Sequence, residues 1–96
     1  MKADYDSEAN ALSIDLIDVP CWDDGEEIDD SYCNVAFYKG RPANVELLNP
    51  RDHLDLLAVV AERFALDHVA LRIAAEAALA APDRPVTVAI GARAAA

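Results

Sequence analysis

Tyr32-Cys33-Asn34-Val35-Ala36-Phe37-Tyr38-Lys39-Gly40-Arg41-Pro42-Ala43-Asn44-Val45-Glu46-Leu47, residues 32–47, is the stretch that decides the fold class. Cys33, Val35 and Phe37 alternate with Asn34, Ala36 and Tyr38; beyond Lys39-Gly40, Ala43, Val45 and Leu47 alternate with Asn44 and Glu46. A period of two sends successive side chains to opposite faces of a strand. A two-residue turn ending in glycine joins antiparallel neighbours. The stretch reads as a β-hairpin with one buried face and one wet face.

Working outward toward the N-terminus, Lys2 to Tyr5 and Ala11 to Ile17 are two further strands, joined by the turn-forming run Asp6-Ser7-Glu8-Ala9-Asn10. Leu12, Ile14 and Leu16 alternate with Ser13 and Asp15. From Asp18 to Asp30 the alternation fails. Pro20 breaks the strand, and Gly25 sits among Asp23, Asp24, Glu26, Glu27, Asp29 and Asp30, which reads as a solvated acidic loop. The first half, residues 1–48, is therefore expected to be an acidic antiparallel β-meander of about four strands.

Toward the C-terminus, Asn49-Pro50 predicts a helix start, with asparagine capping free backbone N–H groups and proline at the first helical position. Asp52 and Asp55 suit the positive end of that helix. Leu54, Leu57, Val60, Ala61 and Phe64 form one helical stripe, and Leu66, Val69, Ala70, Ile73, Ala77 and Ala80 form another on a different line. A break at 65–67 with Asp67 capping a second helix accounts for the phase jump. Pro82 and Pro85 end the helical part, residues 49–82, and Val86, Val88 and Ile90 predict a C-terminal strand over 85–91. The tail 92–96 is expected to fray. The fold class is α+β in a single domain, 1–96.

The chain has 96 residues, too few for two cores, and burial in so short a chain is limited enough to favour self-association. Its formal charge is −10, from 18 acids against 8 Lys and Arg. That balance argues against phosphate-directed nucleic-acid binding and against docking on anionic lipid, both of which need a basic footprint. The charge is lopsided: residues 1–50 carry −9 and residues 51–96 carry −1. Residues 1–6, Met-Lys-Ala-Asp-Tyr-Asp, lack the features of a secretory leader, and no run of 18 apolar residues exists. A cytoplasmic location with Cys21 and Cys33 as free thiols is the expectation.

The acidic stretch invites a calcium reading, but the spacing opposes it. Aligning Gly25 with the glycine of an EF-hand loop would place ligands at Pro20 and Trp22 and the bidentate acid at Ser31. Cys21, Cys33, His53 and His68 lack the paired spacing of a structural zinc site. Only three glycines are present and no phosphate loop, so no metal and no cofactor is predicted. Trp22, flanked by acids, is either an anchor for a cationic partner or a ring folded back over the meander.

Tyr5-Asp6-Ser7-Glu8-Ala9-Asn10-Ala11-Leu12-Ser13-Ile14, followed by Gly40-Arg41-Pro42-Ala43-Asn44-Val45-Glu46-Leu47-Leu48, resembles a family of small bacterial proteins, the domain of unknown function 2283 family. Asn10, Ser13 and Asn44 depart from its usual acid, aromatic and glycine. The resemblance covers about residues 1–50 and implies a meander and, from the gene neighbourhood of some members, an antitoxin-like or accessory role. It implies no reaction.

The leading functional expectation is a non-catalytic interaction module that binds a basic protein partner through Trp22, Asp23, Asp24, Glu26, Glu27, Asp29 and Asp30. One alternative is a small-molecule binder or enzyme with Tyr5, Asp6, Cys33 and Glu46 at a pocket between meander and helices. Another is a structural subunit of a larger assembly. A homodimer is expected through the C-terminal half, where residues 65–81 hold eight alanines that permit close helix approach.

Overall fold

The computed structural model describes residues 1–88. They form one antiparallel sheet of six strands and two α-helices. The strands are β1 (Lys2–Asp6), β2 (Ala11–Asp15), β3 (Asp24–Ile28), β4 (Cys33–Tyr38), β5 (Arg41–Leu48) and β6 (Val86–Thr87); the helices are α1 (Leu56–Phe64) and α2 (His68–Ala80). The α+β class is as the alternation predicts. The strand count is not: there are more than four, and the last is only two residues long. Ile90, counted above in the last strand, and the tail 92–96 lie outside the described residues.

The order across the sheet is β3-β4-β5-β2-β1-β6, so β2 pairs with β5 and the 16–23 connection passes over two strands to reach the far edge. Two of the three hairpin turns are set by their own residues. The Asp6 carboxylate accepts the N–H groups of Glu8 (3.0 Å) and Ala9 (3.1 Å), which folds the β1–β2 turn on itself. Lys39 (φ 51°) and Gly40 (φ 79°) both take positive φ, the conformation whose twist matches a two-residue hairpin.

Alternation and register together sort the side chains into two faces. Ala3, Tyr5, Leu12, Ile14, Val45, Leu47, Cys33, Val35 and Ile28 share the inner face and are buried. On that face lie Leu56, Leu57 and Val60 of α1 and Leu71, Ala74, Ala75 and Ala78 of α2. Phe37 meets Phe64 edge-on, centroids 5.4 Å apart. Four of the alanines anticipated as a self-association surface, at 70, 74, 75 and 78, are buried within this one chain, where their small side chains let α2 lie close over β1 and β2.

Two sequence expectations need correction. Asn49 does not cap a helix: it sits in the left-handed region (φ 48°, ψ 57°) with no side-chain cap, Pro50–Asp52 makes only a 3₁₀ turn, and α1 begins at Leu56. Its groups are taken elsewhere, the N–H by the Asn10 carbonyl (2.9 Å) and Oδ1 by the Asn10 amide (2.8 Å). Nor is 18–30 wholly loop. Asp24–Ile28 is a strand, in continuous register with β4 from Asp24 opposite Phe37 to Ile28 opposite Cys33. The break between helices is as predicted, with Ala65 left-handed (φ 56°) and the Asp67 side chain accepting the Ala70 N–H at 3.1 Å.

Candidate functional site

The face of the sheet turned away from the helices carries the chain's most organised charge. One row of register neighbours reads Glu27, Asn34, Glu46, Ser13 and Asp4, crossing β3, β4, β5, β2 and β1 in turn. Adjacent strands are about 4.8 Å apart, so the three carboxylates, on alternate strands, repeat at about 10 Å. The next row reads Gly25, Ala36, Asn44, Asp15 and Lys2. Asp6 extends the acidic face at the far end of β1.

Asn44 fixes the middle of this face. It is buried although it belongs to the outer side, and its amide donates to Ser13 Oγ and Asp15 Oδ1, each at 2.8 Å. The Asp15 carboxylate is thereby held against the sheet. A shallow cleft of about 240 Å³ opens beside it, lined by Trp22, Asp24, Asn34, Ala36, Asn44 and Glu46 among others. Trp22 stands 55% exposed at its margin, so the ring is not folded away into the core.

The seven residues predicted as a contact loop are divided by the strand they partly form. Asp23 accepts the Lys39 N–H at 3.0 Å and Asp24 accepts the N–H of Gly25 at 2.8 Å. Glu27 points to the outer face, in register with Asn34, whereas Glu26 falls on the other side opposite Val35 and pairs with Arg63 of α1. Asp29 and Asp30 form the β3–β4 turn, both at φ 52°. Asp4 and Asp15 were missed as site residues. Their signal was present in the wet positions of β1 and β2, and it needed the strand order to become a row.

The alternative set, Tyr5, Asp6, Cys33 and Glu46, is not brought together. Tyr5 and Asp6 line a cleft of about 360 Å³ with Asp4, Asp83, Arg84 and Pro85. Cys33 is buried in the core, and Glu46 lies on the outer face one position along β5 from Leu47, the partner of Cys33. Burial, and secondarily Glu46, pushes the Cys33 thiol up to about 11, which suits a packed thiol rather than a nucleophile. The space between sheet and helices is occupied by side chains of the core.

A polar clip secures the hairpin end. Tyr5 Oη donates to Asn10 Oδ1 (2.7 Å), and the Arg51 guanidinium lies 5.3 Å over the Tyr5 ring. Ser7 donates its N–H and its hydroxyl to the two oxygens of Asp83, at 2.8 and 2.6 Å. Those bonds hold the Asp83 carboxyl below its ordinary range, the hydroxyl being the larger cause. His53 stacks on Tyr32 and turns Nδ1 to the carbonyls of Leu48 and Asn49; since both can only accept, Nδ1 carries the proton. Among the described residues no group of three His, Cys, Asp or Glu could hold a metal ion.

No family model, curated protein or solved structure matches this chain. The site therefore rests on its own geometry. Among the described residues no helix is long and apolar enough to cross a membrane.

Proposed function

We propose that the chain is a non-catalytic interaction module whose open sheet face binds a basic protein partner. The observation that supports this reading is the row Glu27–Glu46–Asp4, backed by Asp15, on the side of the sheet that, among the described residues, no helix covers. Such a field speeds encounter with cations and makes association salt-dependent. The resemblance of residues 1–50 to the domain of unknown function 2283 family adds the narrower proposal of an antitoxin-like or accessory role in the cytoplasm. The test is affinity capture from the native host at low salt with wild type and with the pair Asp4→Lys and Glu46→Lys. A stoichiometric basic partner, released by salt and absent from the reversed variant, is the expected result; recovery of no basic partner, or equal recovery by both, sinks the reading.

Self-association through the helical half belongs to the same proposal, because the second half of the chain is nearly neutral and Val69 of α2 stands 56% exposed. Ile73, half-buried on α2, is outside the packed core cluster. Sedimentation at micromolar concentration is expected to show a dimer that Val69→Glu with Ile73→Glu dissociates. A wild-type monomer would end the idea.

A further inference from the structure

We propose that β3 is a docking edge: a basic, extended segment of the partner adds beside it as a further strand of the sheet. The inference rests on the acidic-module reading above and names the mode of binding. Of the two edge strands of the sheet, β6 is only two residues long, whereas β3 is five residues long with β4 on one side and, among the described residues, no strand on the other. A strand in that position has N–H and C=O groups with no strand partner, a template for strand addition, and the Gly25 N–H, held at 2.8 Å by the Asp24 carboxylate, would have to be released by that side chain as the new strand adds. Two of the usual guards of an edge, proline or lysine and a bulge, are absent here. β3 has no proline or lysine, and its register with β4 runs unshifted over all five residues, so no bulge twists it away. Asp24, Gly25 and Glu27 are exposed.

What guards β3 is negative charge, and that guard is selective. A second copy of the chain would bring acid against acid at cross-strand distances of about 5 Å, which is unfavourable, whereas lysine or arginine at the same positions is favourable. Glu26 already shows the preference by pairing with Arg63. Trp22, two residues before the strand, offers an exposed ring face to a cation. Gly25 belongs to the outer-face row, so its missing Cβ leaves the sheet face beside the edge clear. It is not among the positive-φ residues, and a Cβ built there would meet only the Val35 carbonyl oxygen, at 3.8 Å, so neither backbone nor packing demands glycine. Glycine inside a strand weakens it and leaves open the face its side chain would have covered.

The experiment titrates end-blocked seven-residue peptides into ¹⁵N-labelled protein at low salt: one alternating lysine and valine, its glutamate counterpart, and the lysine peptide methylated on every backbone nitrogen. Strand addition predicts that the lysine peptide slows amide exchange within 24–28 at least tenfold, and that the methylated peptide, with equal charge but no donors, binds at least tenfold more weakly. The variant Asp24→Lys with Glu27→Lys, both at exposed positions, should then prefer the glutamate peptide. Equal binding of the methylated peptide, with shifts centred on Asp4, Asp15 and Glu46 and none in exchange at 24–28, overturns strand addition while leaving an acidic docking face. No binding of either lysine peptide overturns both.

Discussion

Cys33 carries no exposed surface and sits opposite Leu47 in the middle of the inner face, while Cys21 is exposed in the run-in to β3. A thiol-reactive dye should therefore count one cysteine in native protein and two after denaturation; two fast thiols in native protein would contradict the core. The raised thiol also fixes the sign of an alkaline effect. Unfolded, the group loses its proton near 9.0; folded, it keeps it up to about 11, so the folded chain binds more protons between these values. Stability is then unaffected by this group below about 9 and falls as pH rises toward about 11. Urea midpoints measured across that window should decline in wild type and decline less in Cys33→Ala; parallel curves would refute it. The alternation of residues 33, 35 and 37 made this burial legible. The environment of Asn49 was not legible, because its partner Asn10 lies 39 positions away and only the closed sheet brings them together.

Among the elements, α2 was the easiest to read, since Asp67 starts it with a side-chain cap and the two prolines beyond Ala80 forbid its extension. Asp67→Ala should cost about 1 kcal/mol of stability, the usual worth of such a cap, with little change in the folded circular-dichroism spectrum. A loss below a few tenths would show that tertiary packing alone sets the helix start. β3 was the hardest, and for a physical reason. An edge strand that buries only Ile28 gives no apolar alternation, and a run of Asp, Gly and Glu has poor strand propensity. Its conformation comes from hydrogen bonding to β4, a non-local term that local pattern does not carry.

Over the whole molecule, the charge that was visible as −9 in residues 1–50 becomes a surface only through the strand order. The carboxylate repeat of about 10 Å is close to the screening length at 0.1 M salt, so the row is strained at low ionic strength and relaxed at physiological ionic strength. The melting temperature of wild type should rise on going from low salt to physiological salt. The increment should shrink in Asp4→Asn with Glu46→Gln, and an unchanged increment would mean that the row does not couple. The same strand order has a consequence for synthesis. β1 and β2 can close as a hairpin as soon as they emerge, yet the other flank of β2 has no neighbour until β5, ending at Leu48, has been made. At translation rates of about 5–20 residues per second, Leu12 and Ile14 wait roughly two to seven seconds for Leu47 and Val45, a window in which a nascent chain with an open apolar flank is most in need of a chaperone.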